Sequence, residues 1–188
     1  MRIRNNQIWR NSCAWILLTA LAGGAHSLAN AQATATASAS GVSLSAGGGY
    51  SYYQADYGKR ALGGYTIFAD YDRTPRWGLE FEVRALRFNQ EFDTHQTTLL
   101  IGPRYTYRKS RFNAYAKLLV GDGMFHFPYD YAEGSYFVLA PGAGIDIPVG
   151  ASRFTIRAAD FEYQSWPNFS FGGLNPFGYS GGISVRVF

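Results

Sequence analysis

The stretch Phe177–Phe188, FGYSGGISVRVF, carries the pattern that decides the fold. Apart from Gly181, its odd-numbered positions up to Val187 are aromatic or aliphatic, and the even-numbered positions between them are glycine, serine or arginine. Side chains alternate across an extended strand, so the stretch predicts a β-strand with one apolar and one small or polar face. Such a strand is stable only within a larger sheet, so we expect further strands upstream.

Seven further segments alternate in the same way, which predicts eight strands. The clearest is Trp77–Phe88, where Glu80, Glu82 and Arg84 interrupt an otherwise apolar series. In the seventh segment the apolar phase switches near Ala158-Ala159, which predicts a β-bulge. The other predicted strands are Ser43–Tyr53, Arg60–Tyr71, Gln96–Arg108, Arg111–Gly121, Ser135–Ile147 and Arg153–Trp166.

The connections between these strands alternate in length. Short turns follow strands two, four and six, and longer or more aromatic links follow strands one, three, five and seven. This asymmetry is typical of transmembrane barrels, which have short periplasmic turns and longer outer loops. Strands of about ten to twelve residues cross a bilayer when tilted. The sequence therefore predicts an all-β protein, an eight-stranded antiparallel up-and-down transmembrane β-barrel, over residues 43–188.

Acids and bases are mixed at mid-strand on the polar faces. A soluble lipocalin-type barrel also alternates, but there the polar face meets water. A charge facing lipid would cost about 2 to 4 kcal/mol at the midplane, whereas opposite charges can pair inside an eight-stranded barrel. We expect a polar interior in which these side chains pair, either as a structural plug or as a narrow, gated ion path. The predicted network is Glu80, Glu82, Arg84, Arg104, Lys117, Arg157, Asp160 and Glu162.

Aromatic residues cluster near both ends of the predicted strands. Trp77, Tyr107 and Phe154 lie next to short turns, and Tyr163 and Trp166 lie near a long loop, as do Tyr52 and Tyr53. Two aromatic girdles at the two membrane interfaces are typical of transmembrane barrels. The alternative, core aromatics of a soluble sandwich, explains the composition but not the two-ended clustering.

The first 31 residues are predicted to be a secretory signal peptide. A cationic start, a short apolar run and small residues follow one another, with cleavage after Ala31 or Ala33 and a flexible lead-in over 32–42. The alternative is an N-terminal membrane anchor. The segment holds the only cysteine, Cys13, and three of the 17 basic residues, so about 14 bases face 13 acids beyond it. That balance gives no support for nucleic-acid binding, and a disulfide or thiolate metal site is excluded.

Several stretches resemble the small outer-membrane β-barrel, or porin-family, domain that includes the OmpA transmembrane domain. They are LGGYTIFADYD (62–72), LIGPRYTY (100–107), YFVLAPGAGID (136–146), ADFEYQSW (159–166) and the segment from Gly172 to Phe188. The resemblance implies a bacterial outer-membrane location, lipid contact, periplasmic chaperones and the barrel-insertion machinery during biogenesis. It also implies that Phe188 is an insertion signal, although Phe188 is one residue out of phase with the apolar face.

Candidates for catalysis or ligand binding are few. His95 and His126 fall in predicted outer loops, with Asp93 and Ser135 as nearby residues, and Asp122–Gly134 could contact a metal or carbohydrate or simply pack on the rim. We expect no enzyme activity, catalytic residue, metal or cofactor, because no nucleophile–base arrangement or metal-binding spacing occurs. The expected role is structural, as an anchor for surface loops. A small low-conductance pore is the alternative, and a lipid A-modifying enzyme is a third, remoter one.

Overall fold

The structure, a computed structural model, describes residues 41–54, 56, 61–88, 95–126, 133–169 and 172–188. Each strand pairs antiparallel with the next, and β8 pairs with β1 to close the barrel. This confirms the predicted eight-stranded up-and-down barrel. The predicted signal peptide (1–31) and residues 32–40 of the lead-in lie outside the described residues. The strands are β1 Ser43–Gln54, β2 Ala61–Asp72, β3 Trp77–Phe88, β4 His95–Arg108, β5 Asn113–His126, β6 Glu133–Pro148, β7 Phe154–Tyr163 and β8 Phe177–Arg186.

Most predicted strand boundaries agree to within two residues, but the predicted ends of the fifth and seventh strands, Gly121 and Trp166, are wrong. β5 runs on to His126 and pairs with a β6 that begins at Glu133, so the predicted loop Asp122–Gly134 is strand at both ends. The predicted fifth strand ended at Gly121 because the polar Asp122 falls on its apolar face. The alternation of outward and inward side chains nevertheless continues past this residue, since Met124 faces outward and Phe125 inward. β7 ends at Tyr163, before the predicted end at Trp166, because the chain beyond turns into the barrel mouth.

The predicted bulge in β7 is confirmed. Ile145 is the partner of Ala159 and Asp146 is the partner of Arg157, which leaves Ala158 as the extra residue. Ala158 and Ala159 both face outward, so Arg157 and Asp160 on either side both point inward. One extra residue thus brings a cation and a carboxylate of the same strand into the interior.

The two ends of the barrel differ. The turns 73–76, 109–112 and 149–153, the start of β1 and the end of β8 lie at one end, called here the short-turn end. The opposite end, reached by the connections 55–60, 89–94, 127–132 and 164–176, is called the loop end. The described residues contain no helix long and apolar enough to cross a membrane.

Candidate functional site

The eight charged residues predicted to form a network all lie inside the barrel. Each is at most 4% exposed, and they come from β3, β4, β5 and β7. The neighbours of Glu80 and Glu82 on β3, Leu79 and Phe81, are 47% and 40% exposed on the outer surface. The strand period of two therefore sorts charge inward and apolar side chains outward.

Lys117 is the centre of the network. Its ammonium Nζ lies 2.7 Å from Asp160 Oδ2, 2.9 Å from Glu80 Oε1, 3.1 Å from Glu82 Oε2 and 3.2 Å from Glu162 Oε2. One cation on β5 thus contacts carboxylates from β3 and β7, which are not its neighbours in the sheet. The contacts cross the lumen and fill it.

Arg84 extends the network toward the loop end. Its guanidinium lies 2.7 Å from Glu162 Oε1 and 2.5 Å from Glu82 Oε1, and its Nε donates to Thr66 Oγ1 at 3.2 Å. It also stacks over the ring of Tyr53, 4.2 Å from the centroid, and the Tyr53 hydroxyl donates to Glu162 at 3.2 Å. Tyr53 was predicted to join the outer aromatics, and that prediction is wrong, because Tyr53 is fully buried.

Arg104 and Arg157 share two carboxylates that the predicted network did not include. Asp70 lies 2.7 Å from Arg104 and 2.9 Å from Arg157, and Asp146 lies 2.5 Å and 3.3 Å from the same two residues. The Arg104 guanidinium also stacks over Tyr115 at 4.0 Å. Asp70 lies an even number of residues from the other inward side chains of β2, and Asp146 from those of β6. This spacing is the sequence signal by which both aspartates could have been assigned to the interior.

Carboxylates outnumber cations inside the barrel. Among the described residues, six buried acids face four buried bases, and each acid has at least one ion-pair contact. Oxygens of Glu80, Glu82 and Asp160 lie within 4.8 Å of one another, a geometry that could hold a metal ion. The Lys117 ammonium contacts all three carboxylates, so the chain supplies its own cation at this position.

The loop end of the interior is filled by an apolar cluster rather than by charge. The connection between β7 and β8 turns inward, and Trp166 and Leu174 exchange backbone hydrogen bonds of 2.8 and 3.3 Å. Trp166 was predicted to lie in the outer aromatic girdle, and this is wrong, because it is fully buried. We call this cluster the loop-end plug; it comprises Leu100, Leu119, Phe125, Val138, Ala140, Trp166, Phe169 and Leu174.

The loop-end plug is linked to the charged network by amide side chains. The indole Nε1 of Trp166 donates to Gln164 Oε1 at 3.0 Å, and Gln164 Nε2 donates to Glu162 Oε1 at 2.9 Å. Gln96 Nε2 also donates to Gln164 Oε1, at 3.3 Å. The interior is therefore one continuous set of contacts from the network to the plug.

The short-turn end of the lumen opens into a small polar vestibule. Its volume is about 40 Å³, and its lining includes Asp70, Arg104 and Asp146 of the network. Arg108 pairs with Asp72 at the rim, with 2.7 Å between the charged atoms. The polar interior is thus accessible from this end as far as Arg104.

The other predicted girdle residues lie on the outside. Trp77, Tyr107 and Phe154 are 57%, 55% and 54% exposed at the short-turn end, and Tyr163 is exposed toward the loop end. Trp77 packs edge-on against Tyr105, with ring centroids 4.9 Å apart.

The two histidines lie at strand ends, and Phe188 follows the last strand. His95 and His126, predicted in loops, are backbone partners at the facing ends of β4 and β5. Phe188 lies beyond β8, is half exposed, and its carbonyl oxygen accepts a hydrogen bond from the Leu44 amide at 3.1 Å.

Comparisons with known proteins agree with this architecture. Residues 17–183 match the family described as outer membrane protein beta-barrel domain. Neisserial surface protein A is similar in structure, with a TM-score of 0.60, 14% identity, and coverage of 78% of this chain and 97% of that one. No curated protein matches the sequence.

Two further barrels show the same likeness. The attachment invasion locus protein Ail of Yersinia pestis has a TM-score of 0.54 and 18% identity, covering 77% of this chain and 98% of that one. OprG from Pseudomonas aeruginosa has a TM-score of 0.55 and 12% identity, covering 78% and 96%. At these identities the likeness concerns the fold.

Proposed function

Because this chain belongs to the outer membrane protein beta-barrel domain family, we propose that it is a closed, structural barrel that anchors surface loops. The family places the chain in the bacterial outer membrane. The outer face of the barrel suits that place, since it is lined with exposed Leu, Ile, Val, Phe and Tyr side chains. An eight-stranded barrel has an interior just wide enough for side chains to fill.

The filled interior is the observation that carries the proposal. Lys117 and its four carboxylates occupy the middle of the lumen, and the loop-end plug closes one mouth. A conducting path needs water-lined continuity between both mouths, and the described side chains of the plug are apolar and almost fully buried. This arrangement favours an anchor over a channel.

Biogenesis follows from the same proposal. In this proposal the predicted signal peptide directs export and is cleaved after Ala31 or Ala33, after which periplasmic chaperones and the insertion machinery act on the chain. The ring of Phe188, two residues beyond the end of the closing strand, is half exposed, which supports its proposed role as an insertion signal.

We propose no enzymatic activity. The buried Ser51 hydroxyl bonds to the hydroxyls of Thr66 and Ser180, and the Thr66 hydroxyl also accepts from Arg84, so these hydroxyls are engaged by one another and by a cation rather than by a general base. A nucleophile requires a base within about 3 Å, held by a third group. The interior acids are likewise engaged by the four cations.

A small pore is the second candidate, favoured by the polar vestibule that reaches Arg104 from the short-turn end. Planar-bilayer conductance of the refolded mature protein separates the two roles. A structural barrel gives a silent bilayer although a heat-modifiable gel shift proves folding, and Arg104→Ala stays silent because the loop-end plug remains. Discrete openings in the wild type that change with Arg104→Ala would support the pore instead.

A further inference from the structure

The turns at the short-turn end carry only positive charge. Segments 73–76, 109–112 and 149–153 contain five basic residues and no acid. At the loop end, the four connecting segments contain four acids, Asp56, Glu91, Asp93 and Asp130, and two bases, Lys59 and Arg60. The barrel is therefore basic at one end and acidic at the other. The basic turn residues are Arg73, Arg76, Lys109, Arg111 and Arg153.

These five side chains are free to bind another molecule. All five are exposed. Within the described part of the chain none of them forms an ion pair, and the one acid at this rim, Asp72, is held by Arg108. Lys109 does lie over the Phe112 ring, 5.8 Å from its centroid, which still leaves its ammonium accessible to solvent.

Aromatic neighbours fix the depth of the cations in the membrane. Each short turn has a basic residue directly followed by an outward aromatic ring: Arg76 by Trp77, Arg111 by Phe112 and Arg153 by Phe154. Trp77 and Phe154 are more than half exposed on the outer surface, and Phe112 is also exposed. Aromatic girdles lie at the level of the lipid headgroups, so the adjacent cations reach the phosphate layer.

We propose that this basic rim binds anionic phospholipid headgroups in the leaflet on the short-turn side. A guanidinium matches a phosphate with paired N–H donors, and a cation near an anionic surface gains about 1 kcal/mol. Five cations spaced around three turns fit several separate headgroups rather than one compact ligand. The acidic loop end disfavours the same lipids in the opposite leaflet.

The substitutions that test the rim leave its backbone intact. The Arg76 carbonyl accepts from the Thr106 amide at 2.8 Å, and the Arg153 carbonyl accepts from the Arg186 amide at 2.8 Å. A glutamine at either position keeps these bonds, because only the side chain changes. The test variant is R76Q/R111Q/R153Q, and the charge-matched control is K59Q/R60Q/R87Q at the loop end.

The experiment reconstitutes the folded protein in phosphatidylcholine bilayers and compares motional restriction of spin-labelled phosphatidylglycerol with that of spin-labelled phosphatidylcholine. The wild type and the control are expected to restrict phosphatidylglycerol about threefold or more in preference to phosphatidylcholine. The rim variant is expected to restrict the two lipids about equally. Salt at 1 M, where the screening length is about 3 Å, should abolish the preference of the wild type itself.

Three results would overturn the proposal. One is equal restriction of both lipids by the wild type, and another is an equal loss in the rim variant and the control. The third is binding of soluble polyglutamate to the bilayer-embedded protein without any lipid preference, which would assign the rim to a soluble anionic polymer. Because the salt series uses the wild type, a variant that fails to fold does not leave the question open.

Discussion

The indole of Trp166 fills the space in front of Gly123, so that a side chain at Gly123 would meet the ring. Gly123 faces the interior from β5 and Trp166 comes from the connection after β7. A glycine opposite a tryptophan is a volume match that lets the loop-end plug form without displacing a strand.

Gly123→Ala is therefore expected to destabilise the folded barrel by about 1–3 kcal/mol, because the added methyl group overpacks the ring. Trp166→Phe removes part of the clash. The double variant G123A/W166F should therefore lose less free energy of unfolding than the sum of the losses in the two single variants. Urea unfolding in lipid vesicles, followed by the heat-modifiable gel shift, measures all three variants. Strict additivity would show that Gly123 and Trp166 do not share this space.

Lys117→Met is expected to be the most costly single change in the network. Glu80, Glu82 and Glu162 keep an arginine contact, but Asp160 has no other ion-pair partner among the described residues. Leaving a buried charge unpaired costs about 3–5 kcal/mol. The same unfolding experiment should show partial recovery in K117M/D160N, which removes the orphaned charge.

The matched control for that change is Arg108→Gln. It also breaks a basic–acidic pair, with Asp72, but the Arg108 side chain is 39% exposed. An exposed pair contributes about 0–1 kcal/mol, so this variant should unfold close to the wild type. Equal losses for Arg108→Gln and Lys117→Met would contradict a buried network at Lys117.

The two tryptophans beyond the predicted signal peptide, Trp77 and Trp166, should respond oppositely to lipid. Trp77 is 57% exposed on the outer surface and Trp166 is fully buried inside. In vesicles of lipid brominated near the headgroup, the fluorescence of W166F, which retains Trp77, should be strongly quenched. The fluorescence of W77F, which retains Trp166, should be quenched little. Strong quenching in W77F would place Trp166 in the outer girdle, as the sequence pattern first suggested.

Phe188→Ala should slow assisted insertion several-fold and leave the folded barrel intact. The Phe188 carbonyl bonds to the Leu44 amide, and the Val187 amide donates to the Leu44 carbonyl at 2.7 Å; both are backbone bonds that alanine preserves. Assembly into vesicles with and without the insertion machinery separates the two effects. Val187→Ala is the control, and an equal delay for both variants would argue against a specific signal at Phe188.

The strand period and the alternating lengths of the connections predicted the closed barrel, and the cost of a charge facing lipid predicted the inward charges. Glu80, Glu82 and Arg84 alternate without interruption, and the phase switch beside Ala158 marks the bulge. Lipid outside and a narrow lumen inside leave a charged side chain only one stable face, so the sequence pattern and the three-dimensional position coincide.

Residue type misled the prediction at Tyr53 and Trp166. Their aromatic rings near strand ends suggested a girdle, but each continues the inward phase of its segment: Ser51 precedes Tyr53, and Glu162 and Gln164 precede Trp166. The inward turn of the β7–β8 connection depends on long-range packing against Phe125 and Val138. No local period encodes such contacts.

The cross-lumen contacts of Lys117 have a consequence for folding kinetics. β5 is not hydrogen-bonded to β3 or β7, so these contacts require the sheet to curve until the strands on either side of its neighbours approach each other across the lumen. We therefore expect the ion pairs of Lys117 to be absent from a flat, partly assembled sheet, whereas they are present in the finished barrel. Interactions that form after the rate-limiting step slow unfolding far more than they speed folding. We therefore expect the charged interior to slow unfolding of the assembled barrel more than it speeds assembly, so that the protein persists in the membrane once it has closed.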